Sequence, residues 1–355
     1  MKSITQFLES YEEINPLGSH VSFQTAWAND AREFWRMTFG EEEKEKEDTF
    51  EDILELRLAT HTASCTQSFI PSIDSNISWE WLLHTTQIEQ RTESWYNKTE
   101  FLTASEIEAV WKGPRTRGAL IQSKVAPGSL GPNTRTAVSR AETNAFDWGI
   151  RYEPLVKKLL EEKHSIVIQD LGRIMHPSYS RLGASPDGLI TSAPNNSSLL
   201  GSLIEIKCPK SRVIDDSIPR GYWMQMQIQM QVCNRPSCEY VEVKFEEGCP
   251  DEEAKGFITL VSNPQIQEFQ YIYSSDKTPT IDPSFLVHET YGWKVALFRQ
   301  ITVGKDDMWF ESIQNDLELF WKDVELAKQG LWTMPPKKEK KEKEKKNIPC
   351  AIVDD

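Results

Sequence analysis

Two short segments carry residue types whose spacing could do chemistry. "LGASPDGLI" (182–190) places Asp187 in a Pro-Asp-Gly turn, and "LIEIKCPKS" (203–211) places Glu205 and Lys207 two apart in an apolar run. Burying a charge costs several kcal/mol unless it is paired or bound to metal, so apolar strands normally exclude such residues. Alternate strand residues share a face. Glu205 and Lys207 therefore project together, while Ile204, Ile206 and Cys208 face the core. A hairpin closed by "SAPNNSSLLGS" would bring Asp187 beside Glu205. Two such carboxylates make a hard-oxygen site suited to Mg2+ or Mn2+, with the Ile206 carbonyl as a third ligand. Lys207 would hold an attacking water or offset charge on a phosphate, and metal-assisted phosphodiester hydrolysis needs those parts. The residues alone leave open a second reading, a buried structural salt bridge of Lys207 with Asp187 or Glu205.

Glu-x-Lys by itself has no specificity. It recurs at Glu42/Lys44, Glu242/Lys244 and Glu344/Lys346. Glu242/Lys244 lies in the strand-like "YVEVKF" and reads as a solvent-facing strand surface. The 205/207 pair differs in its apolar setting and in the Pro186-Asp187-Gly188 turn upstream.

The elements that must position these groups follow from periodicity and punctuation. Thr103-x-x-Glu106 is a capping box opening a short helix. Residues 133–164 are mostly helical in pattern, with Pro154 expected to make a kink or a new first turn. Strands are predicted at "SIVIQD", "GRIMHP", "GLITS", "SLIEIKC", "YVEVKFEE", "FITLVS" and "QYIYS". A long helix closes the pattern over 306–330, stopped by Gly330. "YWMQMQIQMQVCN" (222–234) is undecided on composition: strict alternation says strand, whereas Gln and Met say helix. A helix would put Tyr222, Gln225 and Gln229 on one face. Helix, strands, then helix indicate an α/β fold.

At this point the motifs resemble a known family. "GASPDGLI…LIEIKCP" is similar to the core of the PD-(D/E)XK nucleases, and most similar to the phage lambda-type exonucleases, or YqaJ-like viral recombinases. "FLTAS" (101–105) resembles that family's Thr-Ala-Ser motif, "WGIRYEP" (148–154) its Trp-Gly-x-x-x-Glu-Pro helix, and "YWMQMQ" (222–227) its Tyr-x-x-Gln-x-Gln helix. The resemblance covers the middle of the chain. It implies a restriction-endonuclease-like core, a central mixed twisted sheet flanked by helices, and a helix at 222–232. It implies that Asp187 and Glu205 hold metal, that Glu153 is an additional acid near a second metal, and that Lys207 is the catalytic lysine. Gln225 would position the lysine or the water, and Tyr222 would line the site. Ser105 and Lys98 would bind the 5′-phosphate of a DNA end; Lys98 stands where the family often has arginine and lacks its bidentate fork. Arg115 and Arg117 are further candidates for the DNA path. The implied activity is degradation of double-stranded DNA from a 5′ end, leaving 3′ single strands, in a virus. An endonuclease, a 3′-directed nuclease and a catalytically silent DNA-binding scaffold are the alternatives. A ring-shaped homo-trimer and a single-strand annealing protein are the implied partners.

Composition bounds the remainder. The chain has 355 residues, 39% of them hydrophobic and 12 of them Trp, enough for a sizeable core. A formal net charge of −14 requires any DNA surface to be a local basic one. Six scattered Cys without a C-x-x-C pair argue against a zinc ribbon or a disulfide framework. No apolar run reaches membrane-spanning length, and the N-terminus does not resemble a signal peptide. The expected location is intracellular, in host cytoplasm or nucleus for a viral protein. P-loop, G-x-S-x-G and H-E-x-x-H signatures are missing, so helicase, serine-hydrolase and zincin readings lack support. Three parts are expected: a helical and acidic extension (1–78), the exonuclease domain (79–332) and a disordered lysine-rich tail (333–355).

Overall fold

The computed structural model describes residues 8, 28–33, 35–36, 50–55, 78–90, 92, 98–126, 137–265 and 268–336. Most of the expected extension, the lysine-rich tail, Glu42/Lys44 and Glu344/Lys346 lie outside them. Short strand β1 (Leu102–Thr103) leads into a 3-10 helix (Ala104–Val110), and helices α1 (Pro114–Val125) and α2 (Ala145–His164) follow. Next come β2 (Val167–Gln169), β3 (Ile174–Met175), β4 (Leu182–Ala184), β5 (Gly188–Ser192) and β6 (Leu203–Lys207). Helix α3 (Arg220–Cys233), β7 (Ser237–Glu247), β8 (Gly256–Asn263), β9 (Glu268–Ser274), β10 (Leu286–Gly304) and α4 (Asp307–Lys328) complete the order.

The central sheet runs β2-β5-β6-β7-β10-β8-β9, and β1-β4-β3 form a small second sheet. The β6–β7 pair is parallel, while the other pairs of the central sheet are antiparallel. A parallel pair needs a crossover, and α3 supplies it. Helices cover both faces of β6, which explains its near-continuous burial. Ile204, Ile206, Val241 and Val243 pack with Trp148, Tyr152 and Leu155 of α2. Leu203 and Tyr240 face the other way, into a core with Met224, Met226 and Ile228 of α3 and Trp309 and Phe320 of α4. The α/β class, with a mixed sheet flanked by helices, is as expected.

Several local expectations change. Helix α2 starts at Ala145, because Asn144 caps the backbone N–H groups of Phe146 and Asp147. Pro154 sits inside it without ending it. The Thr103 box opens a 3-10 helix, with the Thr103 N–H donating to Glu106 Oε2 at 2.9 Å. The 222–234 stretch is helical. Three of its four glutamines are buried and each of these is used: Gln227 donates to the Gly304 carbonyl, Gln229 to Glu205 and Gln231 to Asp307. A helix buried nearly all round has no polar stripe, so helical periodicity is invisible there. Strand β10 was not foreseen. Its polar residues find cross-strand partners, as in His288 with Ser262 and Gln300 with Glu239.

Candidate active site

One cavity of about 540 Å³ collects the foreseen residues: Lys98, Ser105, Glu153, Asp187, Glu205, Ile206, Lys207, Tyr222 and Gln225 all line it. The β5–β6 hairpin sets its floor. The Asp187 N–H donates to the Ile204 carbonyl at 3.0 Å, and the Ile206 N–H donates to Asp187 Oδ2 at 2.6 Å. The turn acid is thereby locked against the strand that carries Glu205. Glu205 is 1% exposed and held from two sides: Lys207 Nζ donates to Oε1, and Gln229 Nε2 donates to Oε2 at 2.6 Å. Lys207 Nζ also lies 3.4 Å from Gln225 Oε1 and 4.6 Å from the centre of the Tyr222 ring. The buried Lys207–Glu205 ion pair, one of the two readings left open by the residues, is therefore present beside Asp187 in a shared cavity.

The electrostatics are those of crowded acids. Burial, then the Glu205 and Glu153 carboxylates, raise the Asp187 carboxyl well above its ordinary value, against the opposing pull of Lys207 and the Ile206 N–H. Burial works against the Lys207 ammonium, but Glu205 and Asp187 outweigh it and hold Lys207 protonated. Cys208, on the same rim, is kept a thiol by burial and by Glu153 and Asp187. Glu153 stands on α2 across the cavity and is paired with Lys157 at 2.8 Å.

Among the described residues no three Asp, Glu, His or Cys side chains converge to form a closed metal cage. Asp187 and Glu205 instead offer two hard carboxylates at an open cavity. That donor set fits a cation such as Mg2+, which keeps several waters and takes one or two carboxylates.

The cavity's other wall is basic. Lys98 and Ser105 meet there with Arg173, which stands on the strand segment before β3 and stacks on Phe101 at 4.5 Å. Burial lowers the pKa of Lys98, of Arg173 and of neighbouring Lys124, which pairs with Glu106 at 2.9 Å. Sequence reasoning passed over Arg173, Lys210 and Arg212, and placed Gln229 on the face of Tyr222 and Gln225 without giving it a role. The run "KCPKSR" at the end of β6 was the available signal for two of them.

Arg115 and Arg117 are not brought to this cavity. Both lie on α1 against the C-terminal part of the chain. Arg117 pairs with Asp323 and lies over Phe320, and Arg115 donates to the Pro335 carbonyl at 3.1 Å. Glu242 corrects the expectation of a solvent-facing strand: it is 0% exposed, between Arg212 and Arg299. Its neighbours come from a distant strand and a loop, which local sequence cannot display.

Residues 89–236 match the model of the YqaJ-like viral recombinase domain. An uncharacterized protein of Acanthamoeba polyphaga mimivirus is 26% identical over 172 residues, covering 45% of this chain and 30% of that protein. The match thus spans about a third of that curated relative's length. Among solved structures, an alkaline exonuclease from Laribacter hongkongensis aligns with a TM-score of 0.44 and 21% identity, over 68% of this chain and 96% of the other. The same enzyme in complex with dAMP gives 0.44 and 22% over the same shares. A phage-related exonuclease from Haemophilus somnus gives 0.35 and 13%, over 69% and 97%. The segment matched by the family model, residues 89–236, contains every residue placed at the cavity from Lys98 to Gln225.

Proposed function

We propose that this chain is a metal-dependent DNA exonuclease that digests double-stranded DNA from a 5′ end and leaves 3′ single strands for recombination, repair or replication of a viral genome. The observation that carries the reading is the meeting of Asp187, Glu205 and Lys207 in one cavity whose opposite wall is basic. The match of residues 89–236 to the YqaJ-like viral recombinase domain model supports the same reading.

Asp187 and Glu205 would hold Mg2+ or Mn2+, with the Ile206 carbonyl and Glu153 contributing. When bound, the cation supplies Lewis-acid activation of water and of the phosphate oxygens. The chain's own groups do the rest. Lys207 stays an ammonium, so it acts as a charge and a donor at the scissile phosphate rather than as a base. Gln225 and Tyr222 fix its direction. Gln229 fixes Glu205 from behind. Ser105, Lys98 and Arg173 offer a hydroxyl and two cations to a terminal 5′-phosphate. The homo-trimer and the annealing partner implied by the resemblance belong to this same proposal.

The test is digestion of linear duplex DNA in Mg2+, labelled separately at each end and carrying 5′-phosphate or 5′-hydroxyl. Stepwise release from the 5′ end, faster with 5′-phosphate, is expected. Cutting of closed circular DNA, or release from the 3′ end first, would overturn the end-directed reading.

A further inference from the structure

We propose that Glu242 is a positioning residue for DNA: through a buried ion pair it holds Arg212 at the cavity rim, where the guanidinium meets a backbone phosphate. The inference rests on reading the cavity as a nuclease site.

The sheet itself builds the arrangement. Register pairs Lys207 of β6 with Glu242 of β7, and Glu242 with Arg299 of β10, so the three form one row across three strands. Glu242 is fully buried, and two guanidiniums reach it. Arg212 pairs through Nη2, and Arg299 Nη1 stands at 3.6 Å. A lone buried carboxylate would cost several kcal/mol, so these cations are required neighbours. Two cations face this one buried carboxylate, the exposed Asp215 carboxylate also feels both, and Arg212 is the one of the two that lines the cavity.

The same residues fasten the loop between β6 and α3. Arg299 Nη1 donates to the Ser217 carbonyl at 2.9 Å, and its Nη2 donates to the Asp216 carbonyl. Lys244, two residues beyond Glu242, donates to the Arg212 carbonyl at 3.3 Å. Both the backbone and the side chain of Arg212 are thus held from β7. Its guanidinium carbon lies 5.8 Å from the centre of the Tyr222 ring, the ring that Lys207 Nζ approaches at 4.6 Å. Arg212 lines the cavity and its side chain keeps 35% of its exposure. Its Nη2 is taken by Glu242 and its Nη1 donates to the Val213 carbonyl at 3.4 Å, which leaves Nε and the second Nη1 proton to bind phosphate oxygens.

The test is duplex DNA binding by fluorescence anisotropy in EDTA over a NaCl series, with thermal melts, for Arg212→Ala, Glu242→Gln and the double variant. Arg212→Ala is expected to weaken binding roughly tenfold, the worth of one charge-assisted hydrogen bond. It should also flatten the slope of log K against log salt by about 0.9, one phosphate contact. Glu242→Gln should flatten it likewise, and the double variant should bind no more weakly than Arg212→Ala. A purely structural Glu242 would lower the melting temperature without touching the salt slope. Glu242→Gln with an unchanged slope, or losses that add in the double variant, would overturn the proposal. If Glu242→Gln fails to fold, Arg212→Ala still decides, because an unchanged slope refutes the phosphate contact. A parent that binds with an Arg212-dependent slope yet never cleaves sinks the nuclease reading alone. One that cleaves with a slope indifferent to Arg212 sinks this inference alone.

Discussion

Replacing Gln229 by leucine isolates the support of the proposed metal site from the site itself. Gln229 is 0% exposed, and its Nε2 donates to Glu205 Oε2 at 2.6 Å. A hydrogen bond to a charged group contributes about 1.5–3 kcal/mol. Glu205 would lose that restraint and keep only Lys207. Groups standing behind metal ligands typically govern roughly 10–100-fold in metal affinity or activity. Stability should respond less. Leucine fills a similar volume, and Gln229 Oε1, a buried atom with no hydrogen-bond partner, disappears with the substitution. Gln229→Leu is therefore expected to raise the Mg2+ concentration for half-maximal digestion roughly 10–100-fold. The melting temperature in EDTA should move by only a few degrees, on the order of 1 kcal/mol. The assay is initial rate against Mg2+ at saturating linear duplex, beside a thermal melt. An unchanged Mg2+ requirement in a folded variant would refute the assignment of Gln229 as the anchor of Glu205.

Asp187→Asn is expected to stabilise the metal-free protein at about pH 8. Burial and the neighbouring acids raise the folded carboxyl above its unfolded value of about 3.9, so its favourable contribution is complete below that value and is lost as pH rises through the folded one. Thermal melts in EDTA should show the gain vanish near pH 3, and a loss of melting temperature at pH 8 would contradict the sign. Arg151→Met should destabilise by about 3–5 kcal/mol, because the fully buried Arg151 pairs with Glu247 and donates to the Val138 carbonyl at 3.0 Å. Urea unfolding measures it, and a change under about 1 kcal/mol, the worth of one ordinary hydrogen bond, would refute the burial argument. Gly172→Ala should cost about 1–3 kcal/mol, since its Cβ would stand 2.6 Å from the Ile88 carbonyl oxygen, a backbone atom bridged to Arg173. A variant as stable as the parent would mean that this bridge yields freely. Ser105→Ala should narrow the rate ratio between 5′-phosphate and 5′-hydroxyl ends, and an unaltered ratio would remove Ser105 from the end pocket.

What could be read from sequence was what depends on neighbours along the chain. Asp187, Glu205 and Lys207 belong to one hairpin, so a turn signal and a period of two were enough to juxtapose them. Local composition misjudged Glu242, whose burial depends on Arg299 of another strand and Arg212 of a loop. The same Glu-x-Lys spacing thus supplies a cavity-lining ion pair on β6 and a buried carboxylate on β7. Helix α3 resisted periodicity because three of its four glutamines are inside along with most of its apolar residues. Arg173 escaped notice because its place at the basic wall comes from the bridge to Ile88 and the contact with Phe101, both remote in sequence. Arg115 and Arg117 looked available for DNA, yet Asp323, Phe320 and the Pro335 carbonyl engage them.

The most direct measurement compares the parent with Lys207→Ala and Glu205→Gln for Mg2+-dependent nucleotide release from linear duplex DNA, with DNA binding measured alongside in EDTA. The account predicts release that EDTA abolishes, and variants that bind DNA but lose roughly 10²–10³-fold or more in rate. Release that persists in Lys207→Ala, or no hydrolysis by the parent in Mg2+ or Mn2+, would contradict the claim that this cavity is a nuclease centre.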